Sequence, residues 1–345
     1  MKITEDISLA PFTTLGIGGP ARWFVVAETE ADIAEASDWA RGLGIPLFVL
    51  GGGSNVLVSD EGFSGLVLHV GVKGIERDGE QFRVGAGEVW DHCVEQTLGV
   101  NCAGMECLAG IPGTVGGTPV QNVGAYGQEA ASIIERVRAF DLVDRRFFEF
   151  TNAECGFAYR RSRFNSADQG RYIVTRVDYR LRQDGAPLLE YHDLQAHFAN
   201  WAKAPTLAET AEAVRSIRRS KGMLLVEGDP DCRSAGSFFK NPAVTEETAE
   251  RVRKVAEKAG VSLRVFPADG GLQKIPAAWL IEQAGFAKGY VLGAAGLSSR
   301  HTLALVNRGG ATAREILALA EKISGAVEAR FGIRLKREPE LVGFA

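Results

Sequence analysis

The chain reads as an α+β protein: two domains of mixed helix and strand, then a third in which helices cover a small sheet. Three observations carry that reading. The length, 345 residues, exceeds one ordinary domain. Apolar spacing changes along the chain, from alternating strand and helix, through a long strand-rich middle, to helices behind capping signals. With 46% hydrophobic and 24% charged residues, the composition is that of a chain with a sizeable core.

The elements follow in order. Arg22–Ala27 is a strand, and Thr29 caps a helix that carries Ile33, Ala36, Ala40 and Leu43 on one face and closes at Gly44. Pro46–Leu50 is a short apolar strand, Gly51–Asn55 a loop, and Val56–Asp60 strand again. In the middle section, Val137–Val143 and Arg146–Phe150 form a hairpin across Asp144-Arg145, and Ile173 to Leu181 alternate as in a half-buried strand. Later, Thr206-x-x-Glu209 is a capping box opening a helix through Val214 and Ile217. Further helices run from Thr245 to Gly260, from Pro276 to Gly285, and from Thr312 with Ile316, Ala320, Ile323 and Val327 on one face. His301–Asn307 lies among them as a strand.

Several function classes are excluded. The net charge of −4 provides no basic field for nucleic acid or an anionic membrane, so neither is expected as a partner. No apolar run is long enough to span a bilayer, and Met1-Lys-Ile-Thr-Glu-Asp lacks the order of a signal peptide. The five cysteines have no CxxC spacing and the five histidines no HExxH, so no metal site is expected, and reduced, buried thiols in a cytoplasmic protein are the plain reading.

Glycine stands out, with 41 residues and two dense stretches. Gly51-Gly-Gly-Ser-Asn55 loosely matches a dinucleotide fingerprint, but the strand-like Val56-Leu-Val follows it where a Rossmann site needs a helix. Consecutive glycines between strands still turn backbone N–H groups toward an anion. The stretch Gly110–Gly127 holds six glycines and two prolines and has no Gly-Lys-(Ser/Thr), so it is not a Walker A loop. Two such nests suit a long ligand with a central diphosphate, such as FAD or a UDP-sugar; structural turns are the plainer alternative. Tyr159-Arg160-Arg161 and Arg215–Lys221 supply cations suited to carboxylate or phosphate, or to solvent and a helix C-terminus. No Gly-x-Ser-x-Gly elbow surrounds Ser237, which excludes a hydrolase of that type.

Taken in order, Leu50–Val58, Ala109–Gly117 with Gln121–Gly127, Tyr159-Arg160, Gly236–Pro242, Pro276–Gln283 and Glu338–Glu340 closely resemble the UDP-N-acetylenolpyruvoylglucosamine reductases (MurB). The likeness covers essentially the whole chain, and Tyr191 in Glu190-Tyr-His-Asp-Leu is similar to the tyrosine of type I members that reaches over bound substrate. The resemblance implies three domains: residues 1–70 and 71–205 as two FAD-binding subdomains of the vanillyl-alcohol-oxidase (PCMH-type) flavoprotein fold, and 206–334 as a substrate domain. The tail 335–345 would return to the active site. NADPH would reduce FAD, and flavin N5 would then pass a hydride to the methylene carbon of UDP-N-acetylglucosamine enolpyruvate, NADPH and substrate sharing one site.

By motif match, Arg160 would face the developing charge, Ser237 would protonate the carbon, and Glu340 would be the catalytic glutamate. Gly51, Gly52, Gly53, Ser54, Asn55, Gly110, Ile111, Pro112, Gly113, Gly116, Gly117, Thr118, Asn122, Gly124 and Ala125 would cradle FAD. Tyr126, Tyr159, Tyr191, Arg218, Lys221, Asn241 and Gln283 would bind substrate, and the protein is expected to act as a monomer. Two features depart from the pattern. Val342 stands where the family often has Arg, and Gly222–Arg233 is longer than the usual loop. Two rival readings are a sugar or alcohol oxidase on the same flavin scaffold, which needs no carboxylate clamp, and a colourless UDP-sugar-binding module.

Overall fold

The computed structural model describes residues 1–344, with Asp269 described in its backbone alone. Its contacts divide the chain into two compact units: Met1–Ser8, Pro20–Gly53 and Phe63–Ser220 in the first, and Leu9–Gly19, Ser54–Gly62 and Lys221–Ala345 in the second.

The first unit is built on two sheets. One has the strand order Thr4–Ser8, Pro20–Ala27, Phe63–Val70, Leu47–Leu50, antiparallel in its first pair and parallel thereafter. The crossover between its parallel strands is the helix Glu30–Gly42, opened by a Thr29–Asp32 capping box. Ile33, Ala36 and Ala40 of this helix are buried as the spacing requires. Leu43 is not: it is the C-cap residue and 56% exposed, because the helical stripe ends one residue before it. The second sheet is antiparallel, in the order Phe147–Thr151, Ile134–Asp141, Tyr172–Arg180, Gln81–Gly85, Ile75–Asp78.

The expected hairpin is present, with Arg145 at φ +56 in its turn. The strand Tyr172–Arg180 is central to its sheet and buried on both faces rather than half-buried, with Asp178 and Thr175 inside as well as Val177 and Tyr179. A helix at Trp90–Gly99 was not anticipated. It starts at Val89 with no side-chain cap, so the start signal is missing, although Trp90, Cys93, Val94 and Thr97 supply a buried helical stripe. The capped helix Leu207–Ser220 packs Ala211, Ala213 and Val214 into this unit's core.

The core of the second unit is made by the nineteen-residue helix Ala313–Phe331, the strands Val291–Leu292, Ala295–Leu297 and Leu305–Asn307, and the helix Ala277–Gln283. Thr312 and Glu315 close a capping box, and Ile316, Ala320, Ile323 and Val327 are buried. The strand expected from His301 begins only at Leu305. Before it the chain turns, with His301 N–H donating to Ser298 Oγ (3.3 Å) and Ala304 N–H to the His301 carbonyl (3.2 Å). At the other end, Glu340–Val342 pairs in parallel with Val56–Val58. All five cysteines are reduced and buried. Among the described residues no helix is long and apolar enough to cross a membrane.

Candidate active site

The glycine loops of the first unit meet backbone to backbone. A Cβ on Gly52 would lie 2.5 Å from Gly113 Cα, so only glycine permits the approach. Trp90 anchors the second loop: its backbone N–H donates to the Gly113 carbonyl (3.0 Å), and its buried indole donates to the Leu108 carbonyl (2.9 Å). Among the described residues, the N–H groups of Gly52, Gly53, Ile111, Gly113 and Thr114 donate to no protein acceptor. A cluster of unengaged N–H groups on side-chain-free backbone is what an anionic diphosphate requires, so the residues present fit FAD. Other expected flavin residues are tied to protein. Gly110 N–H donates to Asp91 (2.7 Å), Gly116 N–H to Ala86 (2.8 Å) and Gly117 N–H to Thr114 (3.0 Å). The buried Thr118 hydroxyl pairs with Val115 and with Tyr179 (2.7 Å each). Pro112 and Ala125 are partly exposed on the same stretch.

Arg160 occupies a tight turn closed by Ala158 N–H to the Arg161 carbonyl (2.9 Å) and Arg161 N–H to the Ala158 carbonyl (3.0 Å). Its φ of +53 is unusual for a side-chain-bearing residue. Its Nη2 donates to the Gly124 carbonyl at 2.7 Å, and its guanidinium lies 5.4 Å from the ring centre of the exposed Tyr159. Asn122 is 1% exposed.

The aromatic candidates fall together. Tyr126 and Tyr191 meet edge-to-face at 5.3 Å, and the Arg218 guanidinium donates to the Tyr126 hydroxyl. Burial pushes the Tyr126 phenol up to about 12, so it is a neutral donor at any physiological pH. Burial also lowers the Arg218 pKa, against the attraction of Tyr126 and Asp91, and Arg218 Nε donates to the Gly110 carbonyl (3.0 Å). Tyr191 is held from behind. The fully buried Glu106 accepts Leu188 N–H (3.0 Å), Gly104 N–H (2.7 Å) and Gln128 Nε2 (2.6 Å), fixing the segment that leads to it.

In the second unit, Ser237 follows Gly236 (φ +70) and precedes the buried Phe238 and Phe239. Phe238 N–H donates to the Leu303 carbonyl (2.8 Å), Glu338 N–H to the Phe238 carbonyl (2.9 Å) and Lys240 N–H to the Lys336 carbonyl (3.0 Å). The backbone around Ser237 is thereby pinned on both sides, while among the described residues its hydroxyl has no protein partner. The tail beside it is registered by Glu340 N–H donating to the Asn55 carbonyl (3.0 Å) and by Asn55 Nδ2 donating to the Glu338 carbonyl (3.5 Å). Ser54 precedes Asn55 in this unit and is partly exposed. The Glu340 residue is largely accessible, yet its carboxyl is hemmed in by protein and burial raises its pKa. Val342 is 3% exposed, so that position packs in the core instead of presenting a charge.

Asn241 Oδ1 accepts Ala277 N–H (2.9 Å), capping the helix that ends at Gln283, and the Gln283 carbonyl accepts from Arg330. Lys221 and Lys288 lie near His301, whose pKa is pushed down to about 4, first by burial and then by these cations. The longer loop is tied down through Asp231, which accepts Ser299 Oγ (2.6 Å) and Arg300 Nε (3.0 Å), and through an Asp229–Arg300 pair.

Sequence reasoning missed Asp91, Glu106 and Asn165. Only Asn165 left a local trace, as the last residue of the Ser162-x-x-Asn165 capping box. The others act on residues distant in sequence or through the backbone.

Comparison with known proteins bears on the whole chain. Residues 229–342 match the family model described as UDP-N-acetylenolpyruvoylglucosamine reductase, C-terminal domain, and residues 21–146 match that of an FAD binding domain. The UDP-N-acetylenolpyruvoylglucosamine reductase of Streptomyces coelicolor is 44% identical over 99% of this chain and 90% of its own length. The protein of the same name from Thermobifida fusca is 45% identical over 99% of this chain and 98% of its own length. The crystal structure of the Thermus caldophilus enzyme, 28% identical, superposes with a TM-score of 0.69 over 99% of both chains. With full-length identity at this level, the chain belongs to the UDP-N-acetylenolpyruvoylglucosamine reductase family.

Proposed function

We propose that Arg160, Ser237 and Glu340 carry the proton and charge chemistry of a reductase that converts UDP-N-acetylglucosamine enolpyruvate to UDP-N-acetylmuramate. The chain is an oxidoreductase of peptidoglycan precursor synthesis that uses FAD and NADPH. The observation that carries the cofactor assignment is the Gly52–Gly113 contact with its unengaged N–H groups, which would hold the FAD diphosphate. FAD held by the two glycine loops would supply the hydride chemistry that links NADPH to the substrate's methylene carbon.

Hydride addition turns that CH2 into CH3 and leaves an electron pair on the adjacent carbon, delocalised into the carboxylate. Arg160 is suited to that charge because a guanidinium stays protonated and presents a planar fork of donors. The Ser237 hydroxyl then gives its proton to the carbon. An ordinary hydroxyl is a weak acid, but the enolate of a carboxylate is a strong base, so the transfer runs downhill. The serine's lack of a competing protein acceptor supports this role. Burial raises the Glu340 pKa and so favours its neutral form, which lessens the negative charge that would repel the intermediate.

Tyr126, Tyr159, Tyr191, Arg218, Lys221, Asn241 and Gln283 remain the proposed substrate contacts. The edge-to-face Tyr126–Tyr191 pair supports Tyr191 as the residue reaching over substrate. The two sheets of the first unit, within 4–70 and 75–180, support the proposed subdomains 1–70 and 71–205; of the proposed substrate domain 206–334, the helix Leu207–Ser220 packs in the first unit and the remainder, with the tail 335–345, in the second. The proposed protein is a cytoplasmic monomer, and its acidic net charge supports the expectation that it binds no nucleic acid.

The test is anaerobic. NADPH should bleach the flavin of the purified protein, and UDP-N-acetylglucosamine enolpyruvate should restore its colour. Bleaching without recolouring would overturn the substrate assignment, and a protein that no added FAD turns yellow would overturn the cofactor assignment.

A further inference from the structure

Resting on the role just proposed for Arg160, we propose that Asn122 is a positioning residue that sets this arginine from both its backbone and its guanidinium, and is not a side-chain contact of the flavin. A residue with a Cβ at φ +53 persists only where its surroundings over-determine it. Here Asn122 Nδ2 donates to the Ala158 carbonyl (3.1 Å) at the start of the turn, and Asn165 Nδ2 donates to the carbonyl of Arg160 itself (3.2 Å). The Asn122 carbonyl in turn accepts from Arg160 Nη1 at 3.4 Å, beside the shorter Nη2 bond to Gly124.

Gly124 is the steric complement. A Cβ there would stand 3.3 Å from Arg160 Nη1 and 2.9 Å from Glu129 Cγ, so the missing side chain leaves the guanidinium its place.

The Asn122 amide has no donor left for a ligand. Its second Nδ2 hydrogen goes to Glu129 Oε2 (2.9 Å), its Oδ1 accepts Ala131 N–H (2.9 Å), and the residue is 1% exposed. Its own φ of +46 aims the backbone carbonyl at the arginine while the side chain reaches back under the turn. Asparagine tolerates that conformation better than glutamine, and an aspartate in its place would face the Glu129 carboxylate instead of donating to it.

The test uses the full-length flavoenzyme and four variants. Asn122→Gly keeps the positive φ and the carbonyl while removing the amide. Asn165→Asp keeps the acceptor for Ser162 N–H (2.9 Å) and removes the donor to Arg160. Arg160→Ala and the double variant Asn122→Gly/Arg160→Ala complete a cycle. Anaerobic stopped flow should show flavin reoxidation by UDP-N-acetylglucosamine enolpyruvate slowed about a hundredfold in Asn122→Gly and about tenfold in Asn165→Asp. FAD affinity, read by fluorescence titration, should be unchanged. In the Arg160→Ala background, Asn122→Gly should cause no further loss. Weakened FAD binding with reoxidation intact, or losses that simply add in the double variant, would overturn the proposal. If Asn122→Gly does not fold, Asn165→Asp combined with Arg160→Ala decides by the same criterion. Reoxidation at the parent rate in Arg160→Ala would instead defeat the role given to the arginine.

Discussion

Burial raises the pKa of the Glu340 carboxyl, and the direction has consequences for stability as well as chemistry. A carboxylic acid whose folded pKa lies above its ordinary 4.5 is penalised when it ionises. Its contribution to stability is therefore intact below about pH 4.5 and is lost as pH rises through the raised folded value. Glu340→Gln removes the ionisation, so the variant should melt higher than the parent at pH 8 and match it at pH 4. Equal melting temperatures at pH 8 would show the carboxyl to be freely solvated. Ser237 is the converse case, a side chain with little structural work to do, since Phe238 and Phe239 hold its backbone. Ser237→Ala should leave NADPH bleaching of the flavin nearly untouched and slow substrate reduction about a thousandfold or more. An equal fall in both half-reactions would make the serine structural.

At the scale of elements, the two glycine loops behave as one object because Gly52 and Gly113 touch through their backbones. Gly52→Ala puts a methyl 2.5 Å from the Gly113 Cα, where no flexible side chain can move aside. Such overpacking costs about 1–3 kcal/mol, equivalent to roughly a five- to 150-fold weakening of FAD binding if the strain falls on the cradle. Fluorescence titration of the flavin-stripped variant measures it, and parent-like affinity would mean that the diphosphate lies elsewhere. The loops owe their rigidity to neighbours outside them. Trp90 brings in Gly113, and Asp91, which also accepts from Arg215 (3.0 Å), holds Gly110. The unanticipated helix Trp90–Gly99 is thus a support of the second glycine loop.

At the scale of the whole molecule, FAD bound only by the folded chain must raise its stability by mass action. At a free concentration one hundred times its dissociation constant the gain is about 2.7 kcal/mol. Calorimetry of flavin-stripped protein with increasing FAD should show a melting temperature that climbs with the logarithm of concentration. A melting temperature indifferent to FAD would contradict specific binding to the native state. The contact division into two units matters here, because Gly51–Gly53 and Gly110–Gly127 belong to the first and Ser237 and Glu340 to the second. The proposed flavin cradle and the proposed proton donor therefore sit on separately packed cores, one around Trp90 and Tyr179 and the other around Phe238 and the helix Ala313–Phe331.

The amino-acid sequence alone determined features whose local signal joins near neighbours in the chain. Capping boxes at Thr29, Thr206 and Thr312 marked their helices, because the bonds join residues three apart. The strand after Gly51–Asn55 excluded a Rossmann site, and ordered motifs identified the family and nominated Arg160, Ser237 and Glu340. Features that depend on distant partners were silent. Nothing in the local sequence shows that Tyr172–Arg180 would be the central, doubly buried strand, or that the expected flavin residue Thr118 would turn its hydroxyl to Tyr179. The pairing of Asn55 with the tail spans some 280 positions, and the Asn122 bond to Ala158 spans 36. Short-range hydrogen bonds and periodicity are written into neighbouring residues. Burial, close backbone approach and the aim of a polar side chain arise only when remote segments pack, and for that reason the tertiary structure decided them.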